Sequence, residues 1–178
     1  MKLHIVTAML VTAALLHAQT GHAQNPPAPP ANPLDVVPDK MPFATPYGAP
    51  ISLPRAQALV QAAIAEATKR GWPLNIAVVD SGANLVTFAR MDGALLASVA
   101  VSQHKARVAV KFRRPTKAFE EGIQKGNTYL LTIDDVIGSR GGIPLIEDGK
   151  LIGGIGCSGG TGSQDEVVCQ AAAATINK

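Results

Sequence analysis

The sequence is short of the residues on which metal and nucleophilic chemistry usually depend. Its 178 residues hold two cysteines and four histidines, aromatics are 4% and charged residues 16%. Three of the histidines, His4, His17 and His22, crowd into the first 23 residues, so one imidazole, His104, serves the rest of the chain. A zinc centre needs about four ligands, and one histidine with two cysteines falls short. No apolar run approaches the ~20 residues of a spanning helix, since the longest covers residues 5–16. There is no Asn-x-Ser/Thr acceptor and no internal repeat. What is abundant is Ala, Val, Ile and Gly, with 47% hydrophobic residues, which suits one compact domain and is too short for two.

Proline is unevenly spread, with ten of 13 at or before Pro54. Lys2, the apolar run and Gly21-His22-Ala23, with small residues at −3 and −1, read as a secretory signal over residues 1–23. Cleavage there leaves 178 − 23 = 155 residues and removes one charge, so the net +3 becomes +2. A periplasmic or secreted location is therefore expected. In an oxidising compartment Cys157 and Cys169 read as a disulfide, the alternative being two small buried residues whose sulfurs never meet. Residues 24–51 are Pro-, Ala- and Asn-rich and favour an extended spacer, although Phe43 and Tyr47 could pack along the domain.

The domain is expected over residues 52–178. Ser52 caps a helix that carries Pro54 in its first turn and repeats apolar residues up to Gly71. Residues 74–79 and 85–90 read as two strands around Asp80-Ser-Gly-Ala-Asn84. Helices are expected over 94–112 and 116–125, and a strand over 129–133. Residues 144–147 and 150–155 form a hairpin on Asp148-Gly149. Ser163-Gln-Asp-Glu166 reads as a capping box opening a last helix. The fold class is α+β, with a five-stranded antiparallel sheet covered by helices.

Two catalytic patterns in the glycine-rich stretch fail on context. Gly154-x-Gly156-x-x-Gly159 resembles a dinucleotide fingerprint, but the chain runs only nineteen residues further, without the second strand or the ribose-binding acid. Gly156-Cys-Ser158-Gly-Gly160 matches a nucleophile elbow, yet no histidine follows Ser158. Close backbone packing explains the glycines better.

The run Asn75-Ile-Ala-Val-Val-Asp80-Ser-Gly-Ala-Asn-Leu-Val-Thr-Phe-Ala-Arg90-Met-Asp92-Gly-Ala94 resembles the central motif of the GlcG/HbpS family, the haem-binding or haem-degrading domain also found at the C-terminus of PduO-type proteins. Gly141-Gly-Ile-Pro144, Ile152-Gly-Gly-Ile-Gly156-Cys-Ser-Gly159 and Gln164-Asp165-Glu166 resemble its second signature. The resemblance covers about residue 53 to the C-terminus. It implies an α/β/α sandwich related to profilin- and PAS-like folds, homo-oligomers, and haem as a ligand of some members. The family's Lys-Ala-x-Thr-Ala appears as Lys105-Ala-Arg-Val108-Ala109, so no threonine role carries over. Cys157 and Cys169 both stand where the family has small or apolar residues, a paired change that favours a bridge.

Haem iron takes His, Met, Cys or Tyr, and His104 is the nitrogen donor available, on a helix stripe with Ala97, Val101 and Val108. It reads equally as a packed, hydrogen-bonded histidine. Lys105, Arg107 and Lys111 belong to a run of six cations without an acid, suited to propionates or simply a solvated face. Nucleic acid is disfavoured by export and by the lack of interleaved aromatics. The competing expectation is a small-molecule enzyme, or an accessory subunit, using Arg90 and Asp92 together with Arg140, Gly141 and Gly142.

Overall fold

A computed structural model describes residues 36–177. The proposed signal over residues 1–23 and the first part of the spacer lie outside the described residues. Helix α1 (Leu53–Arg70) opens after Ser52, whose extended backbone sets the entry although its side chain makes no capping bond. It closes at Gly71, which takes the left-handed conformation and donates to the last turn. Strands β1 (Asn75–Asp80) and β2 (Leu85–Arg90) pair antiparallel. Helices α2 (Ser98–Lys111) and α3 (Lys117–Gln124) precede β3 (Gly142–Glu147), β4 (Lys150–Ser158) and α4 (Gly162–Ala173). The β3–β4 turn has positive φ at both Asp148 and Gly149, as a two-residue hairpin requires.

The α+β class holds, but the sheet has four strands, in the order β2-β1-β4-β3, not five. Residues 129–133, expected as a strand, lie in a 3₁₀ helix (Thr128–Thr132) and its cap. Leu130 alone of that helix turns inward, joining Val108 and Phe119, while Leu131 and Ile133 stay exposed. The helix α4 cap is also shifted: Thr161, not Ser163, accepts from the Gln164 N–H, and the Gln164 side chain returns the bond.

Helices α1 and α4 cover one face of the sheet around Leu59, Ile76, Val78, Ile155 and Val168. Helix α2 covers the other, over β1, β4 and β3. It sits unusually low. A Cβ at Gly154 would lie 2.7 Å from the Ala106 carbonyl oxygen, and one at Gly156 or Gly142 would overlap the carbonyls of Ser102 or Lys105. The glycine-rich signature thus brings helix backbone onto sheet backbone. A disulfide joins Cys157 on β4 to Cys169 on α4, with Cα atoms 5.7 Å apart.

The last residues of the expected spacer pack on this domain. Leu151 donates to the Pro46 carbonyl, Gly48 to Leu151 and Ile51 to Ile152, so residues 46–51 pair with the end of β4 where β1 has stopped. Tyr47 donates its hydroxyl to the last carbonyls of α2, and Ile51 is buried.

Candidate functional site

The cation-rich helix splits its side chains between two environments. The buried side of α2 runs through Ser98, Ser102, Lys105 and Ala109, spaced one helical turn apart, beside Ala106 and Val110, which pack on β1 and β4. Lys105 is therefore interior: it is 1% exposed and its Nζ donates to Asp165 Oδ2 on α4 at 2.7 Å. Asp165 also accepts from the Gly160 N–H, so one carboxylate ties α2, the β4–α4 turn and α4 together. Burial pushes the Asp165 carboxyl above its usual range, against the pull of Lys105 and the two backbone amides of Gly159 and Gly160. The expectation that Lys105 faces a ligand with Arg107 and Lys111 is corrected by this placement. Its ammonium is committed beneath Gly141, where a Cβ would meet Asp165, the Cys157 carbonyl and Lys105 itself.

His104, Arg107 and Lys111 lie on the outer side of the same helix. The His104 Nε2–H donates to the Asp135 carbonyl at 2.9 Å, which leaves Nδ1 as the ring's lone pair. Asp135 adopts a left-handed φ of 67°, and its carboxylate pairs with Lys111. The Lys111 ammonium, with His104 and Arg107 nearby, holds that carboxyl below its usual value. The same connection exposes Tyr129, Leu131 and Ile133. An imidazole, two cations and an exposed apolar segment therefore meet along one side of α2.

The second candidate set lies at one end of the sheet but does not converge. Arg90 on β2 pairs in register with Asn75 on β1, Asn75 with Ser158 on β4, and Gly142 on β3 with Gly156 on β4. Three strand spacings of about 4.8 Å separate Arg90 from the β3 side. Asp92 is exposed in the loop after β2. Arg140 is held by Glu120 at 2.8 Å and by Glu166 at 3.4 Å. Burial works to raise the Glu120 carboxyl, but the Arg140 bonds win and hold it below its usual value. Gly141, with φ of 112°, and Gly142 are buried, and Thr116 holds both main-chain groups of Gly142. Two cavities, of about 280 and 380 Å³, lie elsewhere, against α1.

Sequence reasoning missed Asp135, Glu120 and the pairing role of Asp165. It also missed two buried atoms without a partner among the described residues, Asn75 Oδ1 and Arg114 Nε. Arg114 stacks between the Phe43 and Phe119 rings, 3.8 and 4.5 Å from their centres, and burial lowers its proton affinity. Lys105 carried a readable signal, its spacing from Ser98, Ser102 and Ala109. Its partner, sixty residues away, carried none.

A family model described as haem degrading protein HbpS-like matches residues 51–174. The chain belongs to the HbpS-like family. It is 41% identical to protein GlcG of Escherichia coli over 108 residues, 61% of this chain and 81% of that one. Among solved structures, the PduOC:heme complex has a TM-score of 0.66 at 32% identity, covering 72% of this chain and 96% of its own. A double mutant of Streptomyces reticuli HbpS has a TM-score of 0.67 at 30% identity, covering 84% of this chain and all of its own. The HbpS-like match begins at Ile51, the first buried residue of the packed segment. Within the HbpS-like fold, the expected bridge between Cys157 and Cys169 is present.

Proposed function

We propose that this protein is an exported haem-binding protein, working as a scavenger, carrier or sensor and assembling into a homo-oligomer. The observation that carries the reading is the likeness to PduOC, solved with heme at 32% identity, combined with the His104 side of α2. The donor chemistry fits the group. The cysteines are bridged, Met91 sulfur accepts from the Leu74 N–H and Tyr47 is engaged on α2. His104 keeps a lone pair at Nδ1, and Nε2 becomes available if the Asp135 carbonyl releases it. Tyr129 is the exposed phenol on the adjoining connection. Bound haem supplies an iron centre with redox and ligand-binding chemistry. The chain's own part is to offer His104 as an iron donor and to place Arg107 and Lys111 where propionates would be neutralised. Leu131 and Ile133 offer apolar surface to the macrocycle.

Titrating hemin into the apo-protein tests this directly. A saturable Soret band is expected. His104→Ala should abolish or shift it without loss of the cooperative melt, whereas Arg107→Ala should weaken binding less, by about 1 kcal/mol or below, because a water-exposed ion pair contributes little. An unchanged Soret spectrum in His104→Ala would remove His104 as the ligand. No hemin binding by the wild type would transfer the proposal to a small-molecule enzyme or accessory subunit. Export is tested by the N-terminus of protein recovered outside the cytoplasm, expected at Gln24.

A further inference from the structure

Helix α2 ends in a turn that its residues do not favour by themselves. The Arg113 N–H donates to the Val110 carbonyl and the Arg114 N–H to the Ala109 carbonyl, the two bonds that close a helix around a left-handed residue. That residue is Arg113, with φ of 52°. Glycine is usual at this position because a Cβ is strained there. The strained turn delivers two consecutive arginines to two rings of the segment ahead of α1. Arg113 lies over Tyr47, 5.4 Å from the ring centre, and donates to the Thr45 carbonyl at 3.2 Å. Arg114 lies over Phe43, and the Phe119 ring on α3 meets the same guanidinium.

The two arginines differ in what their polar groups meet. Arg113 is satisfied by Thr45 and Tyr47, whereas the Arg114 side chain has no ion pair and no hydrogen bond among the described residues, and its Nε is buried without a partner. Buried donors are nearly always paired, and a charged group taken from water without a counter-ion is costly. No carboxylate supports this charge: the Tyr129 phenol alone favours it, against burial. The other cations nearby in the chain are engaged, Lys111 with Asp135 and Lys117 with Glu166. One guanidinium is left with its fork unspent, part-exposed and fixed on an apolar floor. Phe112 extends that floor, meeting Phe119 edge-on at 5.0 Å. Hydration as an ordinary surface arginine accounts neither for the orphaned Nε nor for the strain at Arg113.

We propose that Arg114 anchors a binding site for the carboxylate of a small organic monoanion, its guanidinium fork taking the two oxygens while Phe43 and Phe119 hold it in place. A planar fork matches a carboxylate bidentately, and a guanidinium already stacked on aromatic rings loses little freedom on binding. Charge selects the ligand class. One unspent guanidinium answers one negative charge, and a dianion such as phosphate would keep a second charge that Lys111 and Lys117, already paired, are not free to meet. The rings favour an acid whose carboxylate sits on an apolar body. The site also gives residues 43–47 a part beyond that of a spacer, since Phe43 forms one wall of it. It needs no iron donor and stands apart from the haem reading.

The test is titration of the full chain, labelled with ¹⁵N-arginine and free of hemin, with benzoate and separately with inorganic phosphate. Calorimetry should show saturable benzoate binding that is tighter than phosphate binding. One arginine Nε–H resonance, the one missing from Arg114→Lys, should move with the same midpoint. Arg114→Met should weaken benzoate binding about 10–100-fold, the worth of hydrogen bonds to a charged group. Arg114→Lys keeps the charge without the fork and should weaken it about tenfold. Phe43→Leu keeps an apolar wall but removes the ring, for an expected two- to fivefold loss, about what an exposed cation–π contact supplies. If Arg114→Met does not fold, Arg114→Lys and the wild-type resonance decide. No saturable benzoate binding by folded wild type, binding undiminished in the folded Arg114 variants, or phosphate bound more tightly than benzoate would each overturn the proposal. The Soret titration is a separate measurement, so the two readings fail independently.

Discussion

Replacing Lys105 by Met keeps most of the buried side-chain volume and removes one charge, leaving the Asp165 carboxylate interior and facing a thioether. Removing one partner of a buried ion pair typically destabilises by about 3–5 kcal/mol, because the remaining charge is desolvated without compensation. With Lys105 and Asp165 only 1% and 3% exposed, solvent cannot reach in to offset that loss. Guanidinium slopes for small domains are about twice the urea range of 1–3 kcal/mol/M, so the midpoint should fall by about 1 M. The loss has a pH signature. Burial already raises the Asp165 carboxyl, and losing Lys105 removes what pulls it down. The carboxyl can then take up a proton, so the gap between variant and wild type should narrow as the pH falls. The double variant Lys105→Met with Asp165→Asn replaces the charge by a neutral acceptor for the Gly160 N–H and should recover most of the stability. Guanidinium denaturation of all three chains with the disulfide intact, at neutral and acid pH, is the assay. A Lys105→Met chain within 1 kcal/mol of wild type at pH 7 would refute this account, as would a loss that is independent of pH and not recovered in the double variant.

Three further outcomes follow from the packing. Gly156→Ala forces a Cβ into the Ser102 carbonyl, main chain against main chain, and should cost about 3 kcal/mol; a denaturation midpoint matching wild type would contradict the close approach of α2. Removing the bridge as Cys157→Ala with Cys169→Ala opens a loop with a sequence separation of 12 and should lower stability by about 3 kcal/mol in the chain-entropy model, read from the difference in unfolding free energy. Arg140→Met releases Glu120, whose folded value lies below its unfolded one. That contribution is complete above about pH 4.3 and is lost as pH falls through the folded value, so the melting gap between variant and wild type should close on acidification. A gap that stays constant from pH 6 to pH 3 would show that the Arg140 contact is not the cause.

Much of the fold was legible because its signals are local. The α1 periodicity, Gly71 and the Asp148-Gly149 turn each act within a few residues, and each formed where expected. The apolar run at residues 129–133 misled because strand propensity says nothing about whether an edge is free to receive a strand. Thr116 and Asn177 occupy the β3 edge, so that run coils into a 3₁₀ turn that buries Leu130. For the site, a helical stripe of Ala97, Val101, His104 and Val108 placed His104 correctly on α2 but suggested an apolar surrounding. The buried side is the neighbouring one, where Ala106 and Val110 meet the sheet and Lys105 lies beside them. Charge alone cannot tell a solvated lysine from a buried one when the partner carboxylate, Asp165, arrives from sixty residues away through a crossing of three elements.

Asn177 has a consequence beyond its two hydrogen bonds to β3. Replacing it by alanine would strip the cover from Pro144 and Ile146 together. A sheet edge left open offers unpaired main-chain groups to any extended strand that meets it. One amide side chain thus keeps the β3 edge from serving as a template for a foreign strand, and an Asn177 variant is expected to aggregate through that edge with its core intact.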